Sequence, residues 1–320
     1  MLNACVRSRS DHTPCGLLLY LRCYLALRDI SSSKQEVAEH VIRHPNVMRQ
    51  NCRPKTKLGV KAMTKLTKPL KDIRYYESSG VPGPGKPMPS SSTELAGIPR
   101  TAHRIGQRIA CMLHAEDFSV GAYDHIYIAF SPELPDGQVV PTDFGLEWWQ
   151  RYVAYGIPTH FKSLTDDQKH QRIQSATFEV LNALKPDEHQ LLESLQERLG
   201  KHGERTRILR ATKDTKAYRF EVWFDVPPWR EPAYLYVVAQ ENSSGQVLEA
   251  PPLLLKDYED AFPLVSTISF TKGILNLNPR KSFRAGLSVN SYPTPIQIPL
   301  SEFAAQPIVP GGLYAVSSGN

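Results

Sequence analysis

The sequence predicts an α+β fold in which an antiparallel sheet packs with about three to four helices. Segments of helical periodicity come first, between about residues 101 and 200, and strand-like segments then follow one another without helices between them. Of the 320 residues, 41% are hydrophobic and 9% aromatic, which is enough apolar surface for a sizeable core. We therefore expect a single α+β domain over residues 101–320.

The part of the chain before this domain has a different composition. Residues 1–62 show little periodicity and are expected to be a disordered extension or an over-predicted gene start, with Met63 as the alternative start of translation. Residues 63–100 are basic and then rich in Pro, Gly and Ser, as in "SSGVPGPGKPMPSSS". Such a composition predicts an extended linker.

Two regions of the domain have helical spacing. In "TAHRIGQRIACMLHAEDF", Ile105, Ile109 and Met112 repeat at intervals of three to four residues. A second helical region covers about 165–200, where Pro186 interrupts the pattern and Gly200 lies near its end. These patterns predict helices that each bury one apolar stripe.

Strand patterns lie before and after the second helical region. "YDHIYIAFSPEL" reads as a strand that ends at Ser131-Pro132, and "KAYRFEVWFDV" alternates apolar and polar residues, with "TRILRA" as its hairpin partner. "PAYLYVVAQ" is apolar on both faces, which is typical of a central strand. "LVSTISF" and "ILNLNP" flank Thr271-Lys272-Gly273 and predict a further hairpin.

The segment "GLEWWQRYVAYG", residues 145–156, is interpreted as a helix. Successive helical residues point about 100° apart, so Trp148 would align with Tyr152 and Trp149 with Val153. One of these stripes can face the core. The other must contact a second element of the domain or a partner.

Charge is divided unevenly along the chain. Residues 1–110 carry 19 of the 38 Lys and Arg residues and 7 of the 32 Asp and Glu residues, a net charge of +12, and the remainder carries −6. Lys and Arg are absent between Arg108 and Arg151, where seven acidic residues occur. This pattern predicts a local negative field that speeds docking of a basic partner, unless the acids pair with the basic residues between Lys201 and Arg219.

The acidic residues of this interval and the four tryptophans are the predicted partner-binding residues. Trp223 stands among charged residues on the polar face of its strand, and Trp229 lies in "PPWREP". Tryptophan is frequent at interface hot spots, although a helix enclosed within the domain would equally account for the indoles of 145–156. The full set is Glu116, Asp117, Asp124, Glu133, Asp136, Asp143, Glu147, Trp148, Trp149, Trp223 and Trp229.

Catalysis has one candidate pair, Asp124 and His125, because a carboxylate can orient an imidazole for general-base work. Adjacent strand residues face opposite ways, so we expect no side-chain hydrogen bond between them. The sequence lacks the common hydrolase, metalloprotease and dinucleotide motifs, and its five cysteines form no metal-ligand spacing. No cofactor or metal is expected, no catalytic residue is assigned, and a hydrolase using His125 is the alternative function.

The lysine-rich segment 53–74 provides a third interpretation, nucleic-acid binding, because clustered cations release counterions from a phosphate backbone. Without interleaved aromatic residues, a solvated tail is the expected outcome. The apolar run near residues 16–27 is broken by Arg22 and is shorter than the ~20 residues that span a bilayer. We expect a soluble cytoplasmic protein whose partners include no membrane.

The segments "YDHIYIAFSPELPDG" and "WWQRYVAYGIP" resemble the small α+β immunity proteins that bacteria encode beside polymorphic toxins. The resemblance covers at most residues 101–300. It implies a cytoplasmic protein without enzymatic activity that covers the active site of a basic toxin domain with an acidic and aromatic surface.

Overall fold

The computed structural model describes residues 67–91 and 95–305, which form an α+β protein. Over these ranges the chain has five α-helices and thirteen strands, arranged in three sheets. The α+β class predicted from the sequence is therefore confirmed, with more sheets than expected. Residues 1–62, which were predicted to be a disordered extension or an over-predicted gene start, lie outside the described residues.

Sheet A has four strands and is mostly parallel, whereas the sequence predicted antiparallel pairing. Its order is β1-β2-β4-β3, with β1, β2 and β4 parallel to one another and β3 antiparallel to β4. The strands are β1 (Asp72–Glu77), β2 (His125–Ser131), β3 (Val139–Pro141) and β4 (Gln150–Gly156).

The position of β1 corrects the predicted domain boundary at residue 101. Strand β1 belongs to the segment 63–100, yet its Ile73 and Tyr75 are fully buried and pair with Ile126 and Ile128 of β2. A strand with such a burial pattern is part of the core. The described residues from 78 to 91 form turns and bends between β1 and the first helix, as the linker composition predicts.

The prediction of a helix over residues 145–156 is wrong, because Gln150–Gly156 is strand β4. Its residues from Tyr152 onward are buried on both faces of sheet A. A strand buried on both faces shows no alternation of apolar and polar residues, so periodicity alone cannot distinguish it from a helix.

The three longer helices agree with the sequence periodicity. Helix α1 (His103–Ala115) follows the first predicted stripe, and α2 (Asp166–Leu184) begins at a capping box formed by Thr165 and Gln168. Helix α3 (His189–His202) follows the interruption at Pro186 and ends at Gly203, whose φ of 59° is readily adopted by glycine.

Sheet B is antiparallel and contains the strands predicted between residues 206 and 241. Its order is β13-β8-β7-β6-β5, and β9 also pairs with β7, which is the central strand that the sequence predicted. The strands are β5 (Ile208–Asp214), β6 (Tyr218–Phe224), β7 (Ala233–Glu241), β8 (Val247–Glu249), β9 (Leu253–Leu255) and β13 (Ala304–Ala305).

Sheet C is a smaller antiparallel sheet with the order β10-β11-β12. The predicted hairpin joins β10 and β11 through Lys272 and Gly273, both with positive φ, as a two-residue turn of this kind requires. The remaining elements are α4 (Ala261–Leu264), β10 (Thr267–Thr271), β11 (Ile274–Asn278), α5 (Phe283–Val289) and β12 (Ile296–Pro299).

The main core lies around α1, which contacts both β1 and β5 and so links sheets A and B. Gly106 of α1 makes this approach possible, since a Cβ atom there would lie 2.4 Å from the carbonyl oxygen of Ile73. One face of sheet A packs into this core through alternate residues such as Ile128 and Val153. The side chains on the opposite face of sheet A form a separate, mostly aromatic cluster.

Candidate functional site

The face of sheet A that points away from α1 carries a cluster of aromatic rings, here called the aromatic face. The face consists of Tyr76, Tyr127 and Tyr152, with Phe144 packed against them. Tyr127 lies between the other two tyrosines, with ring centroids 5.2 Å from Tyr76 and 5.4 Å from Tyr152. Phe144 stacks on Tyr152 at 5.8 Å. Neighbouring parallel strands therefore supply one continuous aromatic surface.

The phenols of Tyr127 and Tyr152 are neutral at physiological pH. Burial raises the pKa of Tyr127, and burial together with the neighbouring phenols raises the pKa of Tyr152 to about 12. Gln150 donates a hydrogen bond of 3.1 Å to the Tyr127 hydroxyl. Tyr127 and Tyr152 are thus buried, uncharged rings, with the polar Gln150 side chain beside them.

Residues 142–149 connect β3 to β4 and are called the acidic-aromatic loop. Two hydrogen bonds fix the loop at its base. The Thr142 side-chain hydroxyl donates to the carbonyl of Tyr152 at 2.6 Å, and the Tyr152 amide donates to the carbonyl of Phe144 at 2.8 Å. At Gly145 a Cβ atom would lie 2.3 Å from the Gln150 carbonyl oxygen, so only glycine fits. The loop is therefore held in one conformation by its own backbone.

Two large apolar side chains of this loop are exposed. Leu146 is 65% and Trp148 is 70% exposed, and Glu147 between them is also exposed. The ammonium group of Lys68 lies 3.6 Å from the centroid of the Trp148 ring, a cation–π contact that positions the indole. Exposed apolar side chains on a rigid loop are typical of a surface that binds another molecule.

Trp149 is half-buried and packs edge-on against the ring of His125, with centroids 4.4 Å apart. His125 Nδ1 donates a hydrogen bond to Asp124 Oδ1 at 2.7 Å, and Lys71 Nζ donates to Asp124 Oδ2 at 2.8 Å. The expectation that Asp124 and His125 cannot bond through their side chains is wrong. Asp124 precedes the first residue of β2, so strand alternation does not apply to it.

The carboxyl group of Asp124 is ionised and strongly held. Burial alone would raise the pKa of Asp124, but the hydrogen bonds from Lys71 and His125 outweigh burial and keep the pKa below its ordinary value. A buried carboxylate that accepts a hydrogen bond from Nδ1–H fixes the orientation of the imidazole ring. This arrangement resembles the carboxylate and histidine pairs that serve as general bases.

His125 also lines a cavity of about 370 Å³ between β1, α1 and the segment that precedes α4. Cys111, Gln107 and Glu259 line the same cavity. Burial raises the pKa of the Cys111 thiol to about 12, so the thiol remains protonated at neutral pH and is a poor nucleophile.

Five predicted site residues lie together at the amino ends of the parallel strands. Asp143, Glu147, Trp148 and Trp149 belong to the acidic-aromatic loop, and the ring of Trp149 packs on His125, which is bonded to Asp124. Asp143 contacts Arg151 at 3.7 Å with its side chain 94% exposed, a weak interaction in water. Within the described ranges no ion pair involves Glu147. The acidic-aromatic loop therefore carries negative charge on its surface.

The other predicted acidic residues lie elsewhere on the molecule. Glu133 and Asp136 follow the carboxyl end of β2, roughly 20 Å from its amino end by strand geometry. Asp136 pairs with Arg172 at 2.8 Å. Glu116, at the end of α1, lies 3.8 Å from Arg198, and the neighbouring Asp117 is exposed. The seven acids do not form one surface.

Trp223 and Trp229 also lie away from the acidic-aromatic loop. Trp223 is half-buried on β6 of sheet B, where its indole nitrogen donates to Glu221 at 3.2 Å. Trp229 is exposed, and its ring lies 5.2 Å from the guanidinium of Arg104 on α1. The four tryptophans thus belong to three separate environments.

The acidic residues between 116 and 147 that form ion pairs do so with cations other than those predicted. The ion-pair partners of the acids are Lys71, Arg151, Arg172 and Arg198. Among the basic residues between Lys201 and Arg219, Arg205, Arg207 and Arg219 pair instead with later acids.

The lysine-rich segment 53–74 is only partly described, from residue 67 onward. Its two described lysines have partners, since Lys68 contacts Trp148 and Lys71 pairs with Asp124. Across residues 67–91 and 95–305, no helix is long and apolar enough to span a membrane, and no group of three metal-binding side chains occurs.

Comparison of the chain with models of known protein families, with curated proteins and with solved structures finds no match. The site therefore has to be interpreted from its own geometry. Sequence reasoning missed Leu146, Phe144 and Lys68, which complete the loop and its contacts. A signal for Leu146 was present, because it stands directly beside the paired indoles in "GLEWW".

Proposed function

We propose that this chain is a non-enzymatic protein-binding domain and that the acidic-aromatic loop contacts the partner. The observation that carries the proposal is the exposure of Leu146 and Trp148 on a loop whose backbone is fixed. Burial of two such side chains in an interface removes a large apolar area from water. Tryptophan in the centre of an interface is among the residues whose truncation costs most binding energy.

The rigidity of the loop favours tight binding. Hydrogen bonds from Thr142 and Tyr152, and the close approach at Gly145, hold the loop in place before any partner arrives. Ordering a flexible loop would cost free energy at each side chain that is immobilised. A loop ordered in advance avoids most of that cost.

The charge of the loop favours a basic partner. Asp143 and Glu147 are exposed on either side of Leu146. Carboxylates at the rim of an interface chiefly accelerate association with a positively charged surface, and this effect weakens as salt is added. The aromatic face lies directly behind the loop, with Phe144 stacked on Tyr152, and supports it.

The partner class that fits these features is a basic toxin domain, which the chain would neutralise as an immunity protein of the cytoplasm. The resemblance of "YDHIYIAFSPELPDG" and "WWQRYVAYGIP" to immunity proteins supports this assignment. Both segments contribute to the site, since the first contains β2 and the second contains Trp148, Trp149 and β4.

The test is the affinity of the full chain for the purified toxin module encoded by the neighbouring gene. We expect the double variant Leu146→Ala, Trp148→Ala to bind about 100-fold or more weakly, because each truncation removes an interface anchor. Leu254→Ala is the matched control, since Leu254 is 57% exposed on β9 of sheet B. Equal affinities for the loop variant and the wild type would refute the proposal.

The contribution of charge is tested separately with Asp143→Lys combined with Glu147→Lys. At low salt we expect the association rate to fall by about tenfold or more while the dissociation rate changes little. The difference from the wild type is expected to shrink in high salt. A salt-independent difference would mean that the two carboxylates do not steer the partner.

The second candidate function is hydrolysis with His125 as general base. The 2.7 Å hydrogen bond to Asp124 and the place of His125 in the wall of the 370 Å³ cavity favour it. In this scheme the imidazole removes a proton from a water molecule as its oxygen attacks an ester carbonyl. The imidazolium then returns the proton to the departing alcohol as the acyl C–O bond breaks. The high pKa of the Cys111 thiol argues against a covalent thioester intermediate.

A panel of p-nitrophenyl esters tests this alternative. Hydrolysis by the wild type that is lost in His125→Ala and retained in His160→Ala would support it, because His160 is an exposed histidine outside the cavity. Absence of hydrolysis above the buffer rate in the wild type would remove this candidate.

A further inference from the structure

Helix α5 presents a second exposed apolar surface that the proposed function does not use. Phe283 is 88% and Leu287 is 68% exposed, and both lie on the same side of the helix because they are four residues apart. Ala285 and Val289, on the opposite side, are buried against the rest of the molecule. The helix thus buries small and β-branched side chains and exposes its two largest apolar ones.

The chain around α5 is positively charged. From Ala261 to Ser301 the sequence contains Lys272, Arg280, Lys281 and Arg284 but no Asp or Glu. Arg280, Lys281 and Arg284 are all exposed, and no ion pair to them occurs within residues 67–91 and 95–305. We call Arg280, Lys281, Phe283, Arg284 and Leu287 together the α5 surface.

A further arginine extends this positive charge. Burial, and then the positive charge of Arg280, lower the pKa of Arg210, whose guanidinium donates to the carbonyl of Phe262 at 3.3 Å. The α5 surface therefore faces solvent with several cations and no described counter-charge.

The base of α5 is fixed. Ser282 caps the helix by accepting a hydrogen bond from the Ala285 amide at 3.2 Å. Just beyond the helix, the Tyr292 hydroxyl donates to Asp260 at 2.6 Å and accepts from the Lys256 amide at 2.7 Å. The exposed side chains project from an anchored element.

We propose that the α5 surface binds the surface of an anionic lipid bilayer. Phe283 and Leu287 would enter the boundary between headgroups and acyl chains, while Arg280, Lys281 and Arg284 contact lipid phosphates. Helices with apolar side chains projecting between basic ones bind bilayers in this way, lying in the plane of the interface. The cations contribute independently to attraction by an anionic leaflet.

An anionic lipid surface matches the α5 surface better than a folded acidic protein does, because the apolar side chains project outward from a short helix. A projecting pair can enter a fluid interface, whereas a protein partner would need a pocket of matching shape. The expectation that no membrane is a partner rested on the absence of a spanning segment. That argument concerns insertion across the bilayer and leaves binding at its surface open.

Flotation of the full chain with lipid vesicles tests the proposal. We expect binding to vesicles of phosphatidylcholine with about 30% phosphatidylserine, and little binding to phosphatidylcholine alone. The triple variant Arg280→Glu, Lys281→Glu, Arg284→Glu is expected to lower the partition coefficient by about 100-fold or more. Phe283→Ser with Leu287→Ser is expected to lower it by at least about tenfold.

Lys272→Glu and Leu254→Ser are the matched controls, one exposed cation of the same acid-free stretch and one exposed leucine of sheet B. Both are expected to bind like the wild type, and thermal unfolding checks that every variant is folded. No vesicle binding by the wild type, or equal binding by the α5 variants, would overturn the proposal. Equal or tighter binding of the wild type to polyglutamate or to a DNA oligonucleotide would also overturn it. The acidic-aromatic loop is intact in all these variants, so the two proposals fail independently.

Discussion

Asp124 joins the beginnings of two strands. Its side chain accepts hydrogen bonds from Lys71, just before β1, and from His125, the first residue of β2, while its carbonyl accepts from the Lys71 amide at 2.8 Å. Removing the charge of a buried carboxylate with two donors leaves those donors without their partner. Asp124 is therefore a point at which local chemistry stabilises the pairing of β1 with β2.

Asp124→Asn is expected to lower the free energy of unfolding by about 1–3 kcal/mol at pH 7. Because folding lowers the pKa of Asp124, its contribution is fully present above the ordinary pKa of 3.8 and is lost as pH falls through the folded-state pKa. The difference between variant and wild type should accordingly shrink below about pH 4. Urea unfolding at pH 7 and pH 3 measures both values.

Asp143→Asn provides the control for this experiment, because that side chain is almost fully exposed and forms only a long contact to Arg151. Its unfolding free energy is expected to match that of the wild type at both pH values. If Asp124→Asn behaved in the same way, the hydrogen bonds to Asp124 would contribute nothing measurable.

The same residue shows why the site was only partly predictable. The sequence identified Asp124 and His125 as a pair, but the rule of alternating strand faces separated them. That rule begins to apply only where the strand begins, at His125, and strand ends are poorly defined by local sequence. The contact of Lys71 with Asp124 joins residues distant in the sequence, so no local pattern could reveal it.

At the scale of elements, the acidic-aromatic loop depends on one glycine. Gly145→Ala would place a Cβ atom 2.3 Å from the Gln150 carbonyl oxygen, which requires the backbone to move. We expect a loss of about 1–3 kcal/mol of stability and a changed environment for Trp148. Chemical denaturation and tryptophan fluorescence measure the two effects.

Gly83→Ala is the matched control, since a Cβ atom at Gly83 would meet nothing within 4 Å. Its stability is expected to equal that of the wild type or to rise slightly, because alanine restricts the unfolded chain. A Gly145→Ala variant with wild-type stability would show that the loop is less rigid than its hydrogen bonds indicate.

Elements with strong local periodicity were predicted, and elements defined by distant partners were not. Helices α1, α2 and α3 and the hairpins β5–β6 and β10–β11 follow from spacing and turn residues within one segment. Strand β4 was mistaken for a helix because both of its faces are buried. Its Tyr and Val residues and the Trp residues before it are typical of a strand. The helical alignment of the two indoles nevertheless led to the prediction of a helix.

At the scale of the whole molecule, sheet A makes residues 72–77 part of the folded unit. A chain beginning at residue 101 would lack β1 and leave the edge of β2 without its partner, with Ile126 and Ile128 no longer covered by Ile73 and Tyr75. An unpaired apolar edge promotes association between chains. We expect this truncation to unfold without cooperativity or to aggregate.

A chain beginning at Met63 is the control, because it retains β1 and every other described residue, all of which belong to one compact unit. It is expected to elute without aggregates and to unfold in a single transition. Size-exclusion chromatography and thermal unfolding compare the two chains. Cooperative unfolding of the chain from residue 101 would show that β1 is dispensable.

The parallel pairing of β1 with β2 also affects how the protein is made. During translation β1 leaves the ribosome about 50 residues before β2, which at about 5–20 residues per second is a delay of several seconds. Throughout that interval Ile73 and Tyr75 lack the residues of β2 with which they pair in the folded protein. The earliest-synthesised strand of sheet A thus waits for its partner strand before it can be buried.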